Sequence, residues 1–359
     1  MCWPFQKGDE SRGSLVAPAE RPQSARSRLQ PRARRSQLAF LSPICAGLLA
    51  LVLAGCGPKD QDAKPPLAGP IGDLWKSFSG DRAMEDVRQQ VNCGARPSGS
   101  AALEKARAHI TDTLHAAGWD VERQEFEAEP ALGESSLKYV NLIARYSASG
   151  QHPAPANTQR AIVGSHYDTK RIFGITFVGA NDGASSTGAL LELARVLAKQ
   201  PAIAERVELV FFDGEEAIHD FSRDVENGPD GLVGSRHYAG SLRSGGRAKQ
   251  FQFAIVLDMI GEKDVALTMP PDSPQQLSDG IFQAGDALGL RKHLGFHSGP
   301  ILDDHLPIQV IAHIPSIDLI DLDYDVWHTS GDTLDKLSPA SLEAIGRITV
   351  WYLSRELAK

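Results

Sequence analysis

Short apolar runs alternate with helical patterns along most of this 359-residue chain. Nearly continuous runs of Val, Ile, Leu and Phe are typical of parallel strands that are buried on both faces. The segments between them have helical periodicity, and Gly118 is a stop signal after the first. We therefore predict one α/β domain with a mostly parallel, mixed central β-sheet flanked by helices. The predicted strands are 139–146, 161–164, 207–212, 252–257 and 316–320, and the predicted helices are 101–117, 185–199 and 339–357.

The first 56 residues have the layout of an export signal. An Arg-rich stretch precedes the apolar run QLAFLSPICAGLLALVLAGC over 37–56, which ends in small residues. That order is typical of a secretory signal peptide. The ending also resembles the lipobox of bacterial lipoproteins, which implies cleavage before Cys56 and a lipid on its sulfur. A plain N-terminal membrane helix is the alternative.

The domain boundaries follow from a change in composition after this run. Residues 57–72 are rich in Pro, Gly and polar side chains, which favours a flexible tether. We expect a signal peptide over 1–56, the tether over 57–72 and the folded domain over 73–359. The protein is then an exported bacterial lipoprotein, anchored to a membrane through Cys56 and facing the periplasm or the cell exterior.

The charge of the chain argues against nucleic acid as a partner. The chain has 37 Lys and Arg against 45 Asp and Glu, a formal net charge of -8. Residues 1–37 hold eight of these cations and three of the anions, so the remainder has 29 cations against 42 anions. A body with that excess of negative charge repels a phosphate backbone, so we expect no nucleic-acid partner.

Carboxylate and imidazole side chains recur just beyond the predicted strands or in the loops near them. Open α/β sheets place their ligand sites at the carboxyl ends of parallel strands, so these side chains are expected to converge. Both groups are ligands of catalytic zinc ions that keep one position open for substrate. The sequence therefore predicts a metal site. The candidates with this placement are His166, Asp182, Glu215, Glu216, Asp258 and His328.

The adjacent pair Glu215 and Glu216 favours a division of roles. Neighbouring carboxylates at the end of an apolar strand repel each other. A metal ion can take one as a ligand while the other stays free to carry a proton. The alternative is the first turn of a helix, where the helix dipole favours acidic side chains. Ordinary structural roles also remain open elsewhere: a helix N-cap for Asp182, a strand end for Asp258, and hydrogen-bonded core positions for the two histidines.

A series of motifs connects these candidates: HYDTKRIFGITFVGANDGASSTGALLELARVLA, VELVFFDGEEA, GLVGSRHYA, IVLDMIG, ILDDHLPI and VWHT. The series resembles the animal-type (type II) glutaminyl cyclases, or glutaminyl-peptide cyclotransferases, within the superfamily of zinc aminopeptidases. The resemblance extends from about Trp75 to the C-terminal helix. It implies a phosphorylase/hydrolase-like α/β fold. It also implies conversion of the N-terminal Gln of peptides or proteins to pyroglutamate, with release of ammonia.

The resemblance implies a role for each residue that matches a motif. Asp182, Glu216 and His328 would hold a single zinc ion. Glu215 would be the general acid and base. That division matches the chemistry of the residue types, since zinc polarises a carbonyl as a Lewis acid and a free carboxylate moves the proton.

Three more residues match family positions around the substrate. Asp258 and Asp303, in the motifs LDMIG and LDDH, would lie near the amide and amine of the substrate and belong with the catalytic candidates. Trp327 would form an aromatic wall beside the metal-binding histidine.

The chain departs from the family pattern at three positions. Phe221 stands where the animal enzymes have a Trp of the substrate-binding wall. Asp318, in SIDLID, stands where they have a His, and it would take over the hydrogen bonding of that His, an ordinary structural aspartate being the alternative. The disulfide of the animal enzymes has no counterpart, since Ser165 precedes His166.

The nearest alternative is a co-catalytic di-zinc aminopeptidase. In that family a second zinc is held by a histidine equivalent to His166, by a bridging aspartate equivalent to Asp182 and by one equivalent to Asp258, while the glutamate at Glu215 activates a water. All of these residues are present. A surface lipoprotein that uses the fold only for binding is a third possibility, and the complete ligand set argues against it. We thus expect one zinc ion, or two in an aminopeptidase, and peptide or protein N-termini as substrates.

Overall fold

The structure is a computed structural model that describes residues 72–358 apart from 130, 132, 148–158, 222, 227 and 229. The predicted signal peptide 1–56 with Cys56, and the tether up to residue 71, lie outside the described residues. The boundaries proposed there stay predictions. Among the helices of the described ranges, none is long and apolar enough to cross a membrane.

Helices and strands alternate along the described chain, as the sequence predicts. The strands are β1 Trp119–Ala128, β2 Leu137–Tyr146, β3 Arg160–His166, β4 Val207–Phe212, β5 Phe251–Asp258, β6 Leu267–Met269, β7 Leu294–Phe296 and β8 Ser316–Ile320. The helices are α1 Gly80–Val91, α2 Ala101–Ala116, α3 Ala184–Leu197, α4 Pro201–Ala204, α5 Val233–Ser244, α6 Gln275–Leu288, α7 His305–Val310 and α8 Pro339–Leu357.

The strands form one eight-stranded mixed sheet in the order β1-β2-β4-β3-β5-β8-β6-β7. Its centre is parallel, because β3 pairs in parallel with β4 and β5, and β5 pairs in parallel with β8. The pairs β1-β2, β2-β4 and β6-β8 are antiparallel. The predicted α/β fold with a mostly parallel, mixed central sheet is confirmed.

The sheet is covered by helices on both faces, which explains why its central strands are continuously apolar. Successive residues of a strand point to opposite faces. In β4, Leu209 and Phe211 belong to a core with α1, α3 and α8, whereas Val210 and Phe212 belong to a second core with α5 and α7. All four side chains are fully buried.

The structure departs from the prediction at the edges of the sheet and in five helices that were not predicted, α1, α4, α5, α6 and α7. β1 was not predicted because its sequence, WDVERQEFEA, is charged and half exposed, as an edge strand paired on one side only can be. The helix predicted over 185–199 ends early, at Leu197. There the N–H groups of Lys199 and Gln200 donate to carbonyls three residues back, which tightens the last turn before Pro201.

Two helix glycines differ in the space around them, so the structure predicts opposite effects of replacing each by alanine. A Cβ added to Gly346 would lie 2.1 Å from Cζ of Phe78, whereas one added to Gly240 in α5 meets no atom within 4 Å. Alanine normally stabilises a helix interior, so we expect Gly240→Ala to raise the free energy of unfolding by about 0.5–1 kcal/mol. We expect Gly346→Ala to lower it by about 1–3 kcal/mol through overpacking. Urea denaturation of both variants measures the difference, and equal gains would contradict this account of the packing.

Candidate active site

The carboxyl ends of the parallel strands meet at one edge of the sheet and bring the predicted residues together. His166 and Asp258 are the last residues of β3 and β5, and Glu215 and Glu216 follow β4. A cavity of about 270 Å³ opens at this edge. Its lining includes eight of the predicted site residues: Asp182, Glu215, Glu216, Phe221, Asp258, Asp303, Trp327 and His328. His166 and Asp318 are buried outside this lining.

Asp182, Glu216 and His328 form a group of donors that could hold a metal ion. Nε2 of His328 lies 3.3 Å from Oδ2 of Asp182 and 3.4 Å from Oε2 of Glu216. Both oxygens are buried without a hydrogen-bond partner in the described part of the chain. Donors about 2.0 Å from a tetrahedral ion lie roughly 3.3 Å apart. The separations and the orphaned oxygens therefore fit a metal such as zinc.

The charges of this group also call for a cation. Burial raises the pKa of Glu216 to about 7, with the carboxylate of Asp182 adding to the shift. Burial alone would lower the pKa of His328, but Asp182 and Glu216 raise it to about 9. His328 also has a left-handed backbone, with φ 54°. The group thus gathers negative charge around a histidine held in an uncommon conformation.

A second group of donors shares Asp182 with the first. Nε2 of His166 lies 3.2 Å from Oδ1 of Asp182 and 3.1 Å from Oδ1 of Asp258. Asp182 therefore presents one oxygen to each histidine, which is the geometry of a bridging carboxylate. Burial would lower the pKa of His166, but Asp258 and the neighbouring aspartates raise it well above its ordinary value. A protonated His166 or a second metal ion could supply the positive charge here.

Glu215 belongs to neither donor group, although it lines the same cavity. Its N–H donates to Oδ1 of Asp168 at 3.2 Å, and the residue is 7% exposed. Burial raises the pKa of its carboxyl group well above the ordinary value, while the positive charge of His166 lowers it. The pair Glu215 and Glu216 does not begin a helix, so the helix-dipole alternative is wrong. Glu215 is left as a carboxyl group that can exchange a proton with a bound molecule.

Asp332 fixes the loop that carries Asp182, a contact that the sequence did not reveal. Its carboxylate accepts the N–H of Asn181 at 2.8 Å, the N–H of Asp182 at 3.1 Å and the hydroxyl of Tyr324 at 2.7 Å. Asp182 is also not the N-cap of α3, as one alternative had it, because Gly183 occupies that position. The one hint of this contact in the sequence is that Asp332 lies four residues after the predicted ligand His328.

Two basic residues, Lys170 and Arg96, hold the two ends of the loop that joins β3 to α3. The N–H of Lys170 donates to Oε1 of Glu216 at 3.2 Å, and its ammonium donates to the carbonyl of Ala217 at 2.6 Å. Arg96 is fully buried and donates to the carbonyls of Val178 and Gly179 at 2.8 and 3.2 Å. These contacts fix the chain on both sides of the loop that joins β3 to α3.

A cluster of buried acids lies behind the cavity wall. Asp303 and Asp318 are both buried, and the charge of Asp303 adds to the effect of burial on the pKa of Asp318. Burial raises the pKa of Asp303 to about 7 and raises that of Asp304 and Asp318 well above the ordinary value. Burial lowers the pKa of His305 to about 3, and its Nδ1 lies 3.8 Å from Asp318. Asp318 is thus buried outside the lining of the cavity.

Comparison with known proteins assigns this chain to a family. Residues 141–353 match the model of peptidase family M28, and the chain belongs to that family. The chain is 29% identical over 304 residues to a glutaminyl-peptide cyclotransferase-like protein of Mus musculus. The match covers 73% of this chain and 72% of the relative. The resemblance to glutaminyl cyclases expected from the motifs is confirmed.

Solved structures give the same result for the fold. A crystal structure of a glutaminyl cyclase from an Acidobacteriales bacterium matches with a TM-score of 0.68 and 31% identity, over 78% of this chain and 94% of that one. A structure described as a leucine aminopeptidase precursor from Bacteroides thetaiotaomicron matches with a TM-score of 0.67 and 25% identity, over 77% and 97%.

The contacts of Asp332 predict its effect on metal binding. Asp332→Asn replaces one carboxylate oxygen by an NH₂ group, which cannot accept a backbone N–H. We expect the affinity for Zn²⁺, measured by competition with a chromophoric chelator, to fall about 10- to 100-fold. The exposed Asp335→Asn on the same loop is the matched control and should bind as the parent does. A folded Asp332→Asn protein with parental affinity would contradict the positioning role.

The acid cluster predicts how stability depends on pH. The pKa of Asp303 is about 7 in the folded protein against an ordinary 3.8, so the native state binds more protons across this range and loses stability as the pH rises through it. Asp318→Asn removes one of the interacting acids. We expect the metal-free variant to unfold a few degrees above the parent at pH 8, with the difference shrinking toward pH 4. Exposed Asp120→Asn should follow the parent, and a parental profile in Asp318→Asn would rule out this explanation.

Proposed function

We propose that this protein is a zinc-dependent glutaminyl-peptide cyclotransferase, an acyltransferase that converts the N-terminal Gln of peptides or proteins to pyroglutamate with release of ammonia. The observation that carries the proposal is the separation of roles in one cavity. Glu215 stands free of the donors, while Glu216 belongs to them. Relatives named glutaminyl-peptide cyclotransferases support the same reaction.

Asp182, Glu216 and His328 would hold a single zinc ion. Their donor separations and orphaned oxygens support this choice of residues. When bound, zinc supplies Lewis-acid polarisation of the γ-carbonyl of the substrate glutamine. Lys170 and Asp332 keep two of the three ligands in place through hydrogen bonds to Glu216 and to the backbone of Asp182.

Glu215 would move the proton of the reaction. It accepts a proton from the α-amino group as the α-nitrogen forms a bond to the carbon of the side-chain amide. The bond from that carbon to the amide nitrogen then breaks, and Glu215 returns the proton to the departing nitrogen, which leaves as ammonia. Because burial raises its pKa, this carboxyl group holds a proton more readily than an exposed one, and it can both accept and return the proton in the reaction.

The walls of the cavity would hold the substrate glutamine. Asp258 and Asp303 supply acidic groups near its amide and amine, while Phe221 and Trp327 supply aromatic walls. Apolar side chains such as Ile301 and Leu322 complete the lining. A cavity of about 270 Å³ is at the small end for ligand sites, which suits a single residue at a peptide terminus.

The second candidate function is a di-zinc aminopeptidase. The donor group of His166, Asp182 and Asp258 favours it, since these residues could hold a second ion that shares Asp182 with the first. In that reaction Glu215 would take a proton from a water molecule, and the peptide bond would be hydrolysed. The two functions differ in their nucleophile, the substrate amine in one and water in the other.

A paired assay on the zinc-loaded protein decides between them. One arm measures ammonia release from a dipeptide that begins with Gln, and the other measures amine release from an aminoacyl anilide. Ammonia without anilide cleavage supports the cyclotransferase. Anilide cleavage without ammonia supports the aminopeptidase and contradicts the proposal. Measurement of bound zinc in the same sample distinguishes one ion from two.

The division of roles between the two glutamates can be tested separately. Glu215→Gln keeps the shape of the side chain but cannot accept a proton, so we expect turnover to fall about 10²- to 10⁴-fold with zinc retained. Glu216→Ala removes a donor, so we expect zinc binding itself to weaken. Elemental analysis and initial rates on both variants measure these effects. A Glu215→Gln protein that holds no zinc would show that the roles are assigned wrongly.

A further inference from the structure

A loop beside the cavity exposes large apolar side chains to solvent. We call residues 170–177, in the connection from β3 to α3, the rim loop. Its Phe173 is fully exposed and its Ile175 is 41% exposed. Exposed apolar residues that stand alone need no explanation, but two on one loop tip beside a binding cavity mark a contact surface.

Both ends of the rim loop contact the wall of the cavity. At the first end, the N–H of Lys170 donates to Glu216, and its ammonium lies 5.7 Å from the centre of the Phe221 ring. At the other end, Phe177 packs edge-on against the imidazole of His328, with ring centres 5.7 Å apart. Glu216, Phe221 and His328 all line the cavity. The exposed tip therefore lies between two points of contact with the cavity wall.

The turn at Gly174 and the contacts of Arg96 position the tip of the rim loop. Gly174 turns the chain at the tip with φ 83°. Just beyond the loop, Arg96 binds the carbonyls of Val178 and Gly179, so this end of the connection is fixed to the buried body. Phe173 and Ile175 thus lie on a turn whose following segment is fixed to the buried body.

We propose that Phe173 and Ile175 form a subsite for an apolar side chain of the substrate peptide, just after its N-terminal glutamine. The proposal rests on the proposed function. Since the cavity has room for about one residue, the rest of a peptide must leave through its mouth, past the wall that the rim loop contacts. Trp327 is a further apolar side chain of the cavity wall that is exposed, at 44%.

The charges near the mouth favour a peptide over a membrane surface. The segment that leads to Trp327 exposes the carboxylates of Asp323 and Asp325. These two carboxylates oppose an anionic lipid surface, against the exposed positive charge of Arg171 on the rim loop, whereas an uncharged peptide side chain meets no such repulsion. The positive amino terminus of a peptide would be attracted to the same side of the molecule.

The test compares two peptides on the zinc-loaded full-length protein. The peptides are Gln-Leu-Gly amide and Gln-Gly-Gly amide, and the measured quantity is the ratio of their kcat/KM values for ammonia release. We expect the parent to prefer the leucine peptide about three- to tenfold, the gain from partly burying one Leu side chain. Phe173→Ser with Ile175→Ser should bring the ratio close to one. A ratio is used because a general loss of activity cancels from it.

Matched controls separate a subsite from a general loss of apolar surface. Phe296 is 50% exposed and Val310 is 41% exposed, and both lie outside the cavity lining. Phe296→Ser and Val310→Ser should therefore keep the parental ratio. The far-ultraviolet circular dichroism and zinc content of each variant establish that the fold and the metal are retained.

Each contrary result has a distinct meaning. A parent that cyclises both peptides equally, or a double variant that keeps the preference, overturns the subsite and leaves the proposed function standing. A parent that cyclises neither peptide contradicts the proposed function and the subsite with it. If the ratio is unchanged while the double substitution abolishes co-sedimentation with phosphatidylglycerol vesicles, the tip contacts a membrane and the peptide subsite is wrong.

Discussion

The carboxylate of Asp182 is the interaction on which the rest of the site depends. One oxygen lies beside His166 and the other beside His328, while the backbone N–H is held by Asp332, 150 residues further along the chain. Burial would raise the pKa of Asp182, but the two imidazoles lower it below its ordinary value. An isolated carboxylate could not be buried at this depth without such partners. The parallel strands supply them by ending at one edge of the sheet, so the fold is what makes this ionised group tolerable.

The parts of the fold that the sequence predicted best are those with one dominant physical cause. The strands over 207–212 and 316–320 were predicted with their observed bounds, because a strand buried on both faces must be apolar throughout. β1 escaped prediction because only one of its edges is paired and its charges face water. The candidate ligands were recognisable from residue type and strand-end placement. Asp332 was not, since two of its three partners are backbone N–H groups, which leave no mark on residue identity.

The acids around the cavity show a site that favours binding over stability. Asp303, Asp304 and Asp318 are all buried, and no Lys or Arg is paired with them among the ion pairs of the described residues. Elsewhere in the described residues, a buried acid can be paired with a buried Arg. Arg107, for example, is buried against Asp213, which also accepts the hydroxyl of Ser98. A protein optimised for stability alone would treat both sets alike, so three buried acids without a basic partner, each with its pKa raised by burial, are the kind of group expected at a functional site.

The left-handed backbone of His328 places chemistry and folding in competition at a single position. A residue with a Cβ pays about 1 kcal/mol or more in that conformation, whereas Gly adopts it freely and Asn tolerates it. Neither replacement offers the imidazole that faces Asp182 and Glu216. Gly or Asn at residue 328 would relieve this backbone cost, but it would remove a donor of the metal group and leave two buried carboxylates without the imidazole between them. The left-handed backbone of His328 is thus explained by the need for an imidazole at this position, and not by the preference of the backbone.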